Sequence, residues 1–230
     1  MPERAFRPAK RLRRTSAARQ LEIVAAVLEL ARDRGPDAIT THAIAERIGV
    51  TQGAVFRHFP HKEAIWLAVF AWVGAELERV VGTAIDDAAS PLAILERIFV
   101  AHVGLVASNP GLPRMLFHEL QAPGGSRVRD AVRTIVTAYR RRLTRLFDQA
   151  KVAGEVSANL DTALAPVLFI GAVQGLVIDA ALGATAAQLA RPSRPAFALL
   201  RDGWRDRDSR AAGATREAPR TSPPALRATR

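Results

Sequence analysis

Residues 40–59 decide the fold, and they read TTHAIAERIGVTQGAVFRHF. The apolar spacing in this stretch predicts two short helices, over residues 40–48 and 52–58. Only residues 49–51 separate them, so the two helices must cross at a steep angle. Gly49 suits this turn because glycine adopts a positive φ without steric cost. The stretch therefore predicts a helix-turn-helix.

Two sets of side chains agree with this geometry. Ala45 is small at the point where the two helices would touch. Apolar side chains fall where the pair must face a core, and these are Ile44, Ile48, Val50 and Val55. The outward face of the second helix carries small or polar residues, namely Gln52, Ala54, Arg57 and His58. A helix of that kind can enter the major groove of DNA, with its first residues meeting the base edges.

The longer run at residues 40–70, TTHAIAERIGVTQGAVFRHFPHKEAIWLAVF, resembles the DNA-binding domain of the TetR (tetracycline-repressor) family. The most specific part is the ordered string G-V-T-x-G-x-V-F-x-H-F-x-x-K-E at residues 49–63. The resemblance covers about residues 16–70, and the helix predicted over 16–34, with Ser16 as its expected cap, corresponds to the first helix of that domain. His61 is expected as a solvated loop residue. The rest of the chain is similar to the family only in style, as a larger helical domain whose last two long helices would form a dimer.

The resemblance implies DNA contacts from eleven positions. These are Thr40, Thr41, His42, Thr51, Gln52, Gly53, Ala54, Phe56, Arg57, His58 and Lys62. Thr40 and Thr51 would cap the two helices and bind phosphate, and Lys62 would bind phosphate from the first turn of the fourth helix. Gln52 would meet base edges, since glutamine can bond adenine through two hydrogen bonds, and Ala54 could contact a thymine methyl group.

Other members of this set have roles implied by the same resemblance. Gly53 would let the backbone approach the DNA, and Arg57 and His58 would lie along the edge of the groove. Two positions depart from the family pattern. Phe56 stands where the family usually has tyrosine, so one phosphate hydrogen bond would be missing. Ala43 stands where a carboxylate often completes a capping box, which weakens the start of that helix.

The net charge of +11 is concentrated at the two ends of the 230-residue chain. Residues 1–20 carry seven basic residues against one acidic residue, and residues 191–230 carry ten against four, whereas residues 21–190 are near neutral. Basic ends suit a polyanion such as nucleic acid, or they serve only to keep the protein soluble. We expect a basic disordered arm over 1–15 and a basic disordered tail over 206–230.

The remaining sequence is helical in pattern, so we expect an all-α protein with two domains. A three-helix helix-turn-helix DNA-binding domain would span residues 16–62, and a helical effector-binding and dimerisation domain would span 63–205. Helices predicted near 160–182 and 194–205 would form the interface of a homodimer. The better candidates for an effector pocket are polar residues of the second domain, His102, His118, Tyr139 and Gln174.

Several other classes of function find no support. The chain has no cysteine, which excludes disulfides and thiolate chemistry and fits a reducing cytoplasm. It shows no nucleophile elbow, metalloprotease motif, glycine-rich phosphate loop or metal-ligand spacing, so we expect no catalytic residues, no metal and no cofactor. The apolar stretch at 162–178 contains Pro166 and Gly171 and predicts a buried helix rather than a membrane span.

Two functions remain open from the sequence. The first is a cytoplasmic, homodimeric transcriptional regulator, a repressor released from a palindromic DNA operator by a small-molecule effector. The alternative is a non-specific helical DNA-binding protein driven by its basic ends. A preferred DNA sequence would separate the two, because contacts to phosphate alone carry no sequence information.

Overall fold

The computed structural model describes residues 15–86, 88–181 and 191–205, and within them every regular element is helical. This confirms the all-α prediction. The helices of these ranges are α1 (Ser16–Asp33), α2 (Thr41–Arg47), α3 (Gln52–Phe56), α4 (Lys62–Ala84), α5 (Pro91–Ser108), α6 (Leu112–Gln121), α7 (Arg127–Val152), α8 (Ala165–Ala181) and α9 (Ser193–Trp204). A short 3-10 turn, Pro36–Ala38, joins α1 to α2. The predicted basic arm, apart from residue 15, and the predicted tail lie outside the described residues.

Side-chain caps begin several of these helices, and two of the caps differ from what the sequence predicts. The sequence favours Ser16 as the cap of α1, but Thr15 has the extended backbone of a cap and its hydroxyl accepts the Ala18 N–H at 3.3 Å. His61, expected as a solvated loop residue, caps α4 because its Nδ1 accepts the Ala64 N–H at 3.2 Å. Both corrections come from backbone conformation, which sequence spacing does not determine.

An N-terminal core holds the helix-turn-helix together. Helices α1, α2, α3 and the first half of α4 pack around buried apolar side chains, Ile23, Val27, Ile39, Ile44, Val55, Ile65 and Phe70. Helix α6 and the first turns of α7 close this core with Leu112, Met115, Val128 and Val132. Helices as short as α2 and α3 are not stable alone, so this packing is what fixes them in place.

A second core lies between α4, α5, α7, α8 and α9. Its centre is a cluster of aromatic side chains, Phe99, Phe147, Phe169, Phe197 and Trp204. Phe99 meets Phe169 edge to face with ring centroids 5.1 Å apart, and Phe147 meets Trp204 in the same way at 4.8 Å. Aromatic rings favour this arrangement because the positive edge of one ring faces the negative face of the other. The cluster anchors α9 to the body of the protein.

Helix α5 is the one helix in the described ranges that has the length and apolar composition to cross a membrane, with a mean hydropathy of 1.5 over 18 residues. It packs against α4, α7, α8 and α9, and half of it is buried within the protein. A helix at the centre of a bundle is apolar on most sides for this reason. Helix α8, predicted as a buried helix, is buried only in part: one face packs against α5 and α7, and the other leaves Val167, Leu168 and Ile178 exposed.

A close seam joins the two cores where the turn between α5 and α6 meets the end of α1. A Cβ atom added to Gly111 would lie 2.3 Å from the carbonyl oxygen of Ala31, so a larger residue does not fit without backbone movement. Arg32 on α1 donates to the carbonyl of Ser108 at the end of α5, at 3.1 Å. These contacts hold α6 against the helix-turn-helix.

Candidate DNA interface and interior cavity

The turn between α2 and α3 has the backbone conformation that the sequence predicts. Gly49 has a φ of +66°, which confirms its expected left-handed conformation. The N–H groups of Gly49 and Val50 donate to the carbonyls of Glu46 (3.1 Å) and Ala45 (2.9 Å). These hydrogen bonds satisfy carbonyl groups at the end of α2 and turn the chain sharply into α3.

Two threonine hydroxyls begin the helices of this motif. Thr40 accepts the N–H of Ala43 at 3.1 Å, and Thr51 accepts the N–H of Ala54 at 3.2 Å. Both threonines have extended backbones, as helix caps require. Their predicted capping roles are therefore confirmed, and both side chains lie at exposed positions.

Helix α3 has one face in the core and one face open. Its Val55 side chain is fully buried in the N-terminal core, as predicted. None of the eleven residues predicted to contact DNA is buried. Phe56 is 43% exposed, and a Cβ atom added to Gly53 would meet no other atom within 4 Å. The predicted contact residues thus line a surface that is accessible to a large partner.

Gln52 is exposed at the start of α3 and is held by a contact from α2. Its amide Nε2 donates to the hydroxyl oxygen of Thr41 at 2.6 Å. A primary amide has two N–H groups and one acceptor oxygen, so one N–H and Oε1 remain for another partner. The sequence does not predict this contact, because the two residues meet only through the crossing of the two helices.

The two cations of the predicted interface differ in how they are engaged. The Arg57 guanidinium makes no hydrogen bond or ion pair with the rest of the described chain. Lys62 donates from Nζ to the carbonyl of Pro36 at 3.1 Å, and its Nζ lies 5.1 Å from the ring centroid of Trp66. An ammonium group has three N–H donors, so two of them remain for a phosphate.

The end of α3 differs from the prediction. Arg57 and His58 were expected within this helix, but they form the turn that follows it. His58 is half-buried and contacts α1, with its Nδ1 3.3 Å from the Ser16 hydroxyl. Its carbonyl accepts a hydrogen bond from Nε2 of Gln20 at 3.4 Å. These contacts fix the end of α3 to α1.

A cavity of about 90 Å³ lies between α4, α5, α6, α7 and α8. Its wall is mostly aliphatic, with polar side chains from three helices, His102 on α5, Tyr139 on α7 and Gln174 on α8. The structure thus brings together three of the four residues predicted for an effector pocket. Because these three residues lie far apart in the sequence, it is the packing of the helices that brings them together.

The fourth predicted pocket residue, His118, does not line this cavity. It lies on α6 with Nε2 3.6 Å from the carboxylate oxygen of Asp37, in the 3-10 turn of the N-terminal region. In the ranges that the structure describes, no three His, Asp or Glu side chains are grouped to hold a metal ion.

His102 and Tyr139 form a buried polar pair. Tyr139 Oη and His102 Nδ1 lie 3.2 Å apart, and the two rings meet edge to face. Burial lowers the pKa of His102 to about 4, because the interior disfavours the charged imidazolium. Burial likewise raises the pKa of the Tyr139 phenol above its ordinary value. Both side chains are therefore uncharged at neutral pH.

Together these features define a class of protein, an all-helical protein with a helix-turn-helix and an interior cavity. Residues 23–69 match the family model for bacterial regulatory proteins of the tetR family, and residues 121–195 match that for the tetracyclin repressor-like C-terminal domain. The two matches cover just over half of the chain. The chain belongs to the tetR family of bacterial regulatory proteins, whose members are transcriptional regulators.

Several solved structures share this fold. The transcriptional regulator FadR from Bacillus subtilis, in complex with stearoyl-CoA, matches with a TM-score of 0.69 and 22% identity, covering 80% of this chain and 98% of that one. The ketosteroid transcriptional regulator KstR2 of Mycobacterium tuberculosis matches with a TM-score of 0.66 and 17% identity, covering 82% and 95%. In sequence, nucleoid occlusion factor SlmA of Vibrio campbellii is 27% identical over 161 residues, which is 68% of this chain and 81% of that protein.

Proposed function

We propose that the protein is a sequence-specific DNA-binding regulator, a repressor that leaves a near-palindromic operator when a small-molecule effector binds. Helix α3 carries this proposal. Its Val55 face is closed in the core, while Gln52 and Arg57 are exposed and have groups available to a duplex. Membership of the tetR family supports the same class of function.

Base reading would centre on Gln52. One N–H of its amide donates to Thr41. The other N–H can donate to N7 of adenine, while Oε1 accepts from the N6 amino group of the same base. Thr41 would then act as a positioning residue that limits the rotation of the amide. Ala54, two residues further along α3 and half-buried, is small enough for a thymine methyl group to approach.

Phosphate contacts would come from the edges of the helix pair. Among the described residues the Arg57 guanidinium has no partner. Lys62 keeps two N–H donors, and Thr40 and Thr51 lie exposed at the two helix starts. Phe56 can pack against the sugar-phosphate backbone but has no hydroxyl to donate to it. Contacts of this kind set the position and orientation of the protein on the duplex without reading its sequence.

A homodimer would supply the second reading helix. Helix α8 exposes a row of apolar and glycine residues, Val167, Leu168, Gly171, Gly175 and Ile178. On α9, Leu199 is 78% exposed. Exposed apolar surface of this kind is typical of an interface, and the glycines allow a partner helix to approach closely. A two-fold axis at this face would place two α3 helices in major grooves about 34 Å apart, or a multiple of that distance.

Effector action is supported by side chains that the cavity and the N-terminal core share. Phe70, Leu112 and Val132 line the cavity and also pack in the core behind α2 and α3. A ligand that displaces them would shift α4 and α6 and so change the separation of the two α3 helices. An allosteric coupling of about 1–3 kcal/mol, a typical size, changes DNA affinity about 5–150-fold.

Selection of bound duplexes from a random pool, with the full chain at physiological salt, tests this function. We expect enrichment of a near-palindrome whose half-site centres lie about 34 Å apart or a multiple of it. Non-specific binding through the basic ends predicts instead no preferred sequence, and loss of all binding when residues 1–14 and 206–230 are deleted. A pool without any enriched sequence would contradict the proposed function.

A further inference from the structure

One side chain of the cavity wall has a buried polar atom without a hydrogen-bond partner among the described residues. The side-chain oxygen Oε1 of Gln174 is buried and accepts no hydrogen bond from them. Gln174 is also one of the three polar residues in the cavity wall. A buried acceptor without a donor is unfavourable, and native proteins rarely retain one without a reason. If the Gln174 side chain turns toward the cavity, a donor on a bound molecule would supply the missing partner.

The other two polar side chains of the wall have less need of a ligand. Tyr139 Oη and His102 Nδ1, 3.2 Å apart, share one hydrogen bond, whose donor depends on the tautomer of the imidazole. Their rings also pack edge to face, with centroids 5.3 Å apart. Gln174 Oε1 is therefore the buried acceptor of this wall that is left for a ligand, among the side chains that the structure describes.

The charge of the wall restricts the ligand further. Apart from the three polar residues, the described lining consists of aliphatic side chains, Phe70 and Pro113, with neither lysine nor arginine. An anion bound against this wall would lose part of its hydration without gaining a counter-charge. His102 does not provide one, because its burial keeps the imidazole neutral at pH 7. A carboxylate or a phosphate is therefore a poor occupant.

We propose that the cavity binds a small, neutral, largely apolar alcohol or phenol, whose hydroxyl group donates a hydrogen bond to Gln174 Oε1. This ligand class rests on the proposed function, since it names the chemistry of the effector. An apolar cavity of about 150 Å³ holds one benzene ring. The present cavity of about 90 Å³ is smaller, so a single ring would enter with modest movement of the lining side chains.

Phenol and toluene form a matched pair of probes, because they have nearly the same shape and differ in a hydroxyl against a methyl group. Their affinities are measured on the full chain by calorimetry or ligand-detected NMR, for the wild type, Gln174→Met and Gln149→Leu. Methionine keeps the length of the glutamine side chain and removes the acceptor. Gln149 is an exposed residue of α7 outside the cavity wall, so its variant is the matched control.

The phenol-to-toluene affinity ratio should fall about tenfold in Gln174→Met and stay unchanged in Gln149→Leu, since one hydrogen bond to the acceptor is lost. Benzoate should bind the wild type at least about tenfold more weakly than phenol, because its charge is unpaired in the cavity. An unchanged ratio in Gln174→Met overturns the assignment. Equal binding of benzoate and phenol, or no binding of phenol, also overturns it. Gln174→Leu gives a second acceptor-free variant if the methionine variant does not fold.

DNA binding separates a failure of this inference from a failure of the proposed function. The proposed function fails if the wild type enriches no duplex sequence, whatever the probes do. The ligand class fails alone if the wild type binds a selected duplex specifically while phenol does not bind, or binds without dependence on Gln174.

Discussion

The helix-turn-helix and the interior cavity place their polar side chains in opposite ways. At the helix-turn-helix, the predicted contact residues are exposed or half-buried, and Gln52 and Arg57 keep hydrogen-bonding groups available. At the cavity, His102 and Tyr139 are buried against each other, and Gln174 keeps a buried oxygen to which no described residue donates. A duplex is too large to enclose, so its reader must lie at the surface. A small molecule is recognised by enclosure, which requires buried polar atoms.

The two regions are nevertheless not independent, because they share side chains. Phe70 packs in the N-terminal core and lines the cavity, whereas Phe169 packs only in the C-terminal core. Gly111 joins the regions at the seam, where its backbone touches Ala31. Substitutions at positions that both regions share should therefore differ in effect from substitutions at positions that belong to one region.

The largest effect is expected for Phe70→Ala. The side chain is 1% exposed, so its truncation should cost about 3–5 kcal/mol of unfolding free energy. Phe169→Ala, at a fully buried phenylalanine outside the cavity wall, should cost a similar amount. Only Phe70→Ala should change phenol affinity, since only it alters the cavity. Urea unfolding at fixed protein concentration measures the stability, and titration with phenol measures the affinity. Identical phenol binding in the two variants would show that Phe70 does not shape the cavity.

The next largest effect is expected from acid, which should lower the free energy of unfolding through His102 in the cavity wall. The pKa of His102 falls from 6.5 to about 4 on folding, so the unfolded chain binds a proton that the folded chain excludes. Its contribution to stability is complete above pH 6.5 and is lost as the pH falls toward 4, by about 3 kcal/mol in total. The double variant His102→Phe with Tyr139→Phe should lose less stability between pH 7 and pH 4 than the wild type. Equal losses in urea unfolding would contradict a buried neutral His102.

The seam between the regions gives a third comparison. Gly111→Ala would place a Cβ atom 2.3 Å from the Ala31 carbonyl oxygen, so we expect a loss of about 1–3 kcal/mol in unfolding free energy. Gly104→Ala in α5 meets no atom within 4 Å and should gain up to about 1 kcal/mol from its better helix propensity. Thermal unfolding of both variants measures this difference. If Gly111→Ala left the stability unchanged, the backbone at the seam would move at little cost in free energy.

The smallest effect on stability is expected at the reading helix. A Cβ atom at Gly53 meets only open space, so Gly53→Ala should leave the unfolding free energy unchanged or raise it by up to about 1 kcal/mol. If DNA occupies that space, the same methyl group should lower affinity for the selected duplex about tenfold, the effect of losing one hydrogen bond to a charged group. Fluorescence anisotropy measures this affinity. An affinity equal to that of the wild type would show that DNA does not occupy the space beside Gly53.

The sequence could predict the helix-turn-helix in detail because its constraints are local. The positive φ of Gly49, the caps at Thr40 and Thr51 and the burial of Val55 all follow from neighbours within a few residues, and all are confirmed. The errors in this region arise where the chain changes direction. The cap at His61 depends on a backbone conformation that spacing does not reveal.

The cavity could be predicted only in part. His102, Tyr139 and Gln174 could be named as polar residues of the second domain, but so could His118, which instead lies beside Asp37. Separating them requires knowing which helix faces meet, and that depends on packing between distant segments. The burial of the Gln174 oxygen, away from any donor in the described ranges, is likewise a property of the assembled bundle.

The most direct test of the central claim, that α3 reads DNA through Gln52, compares the wild type with Gln52→Ala on the selected duplex and its single-base-pair variants. The substitution should remove about 1–3 kcal/mol of discrimination at one base pair in each half-site and leave the ranking at other positions unchanged. Arg57→Gln, as a control for phosphate contact, should weaken binding to every duplex alike and reduce the salt slope by about 1. A loss of affinity for Gln52→Ala that is equal on every duplex would contradict the claim.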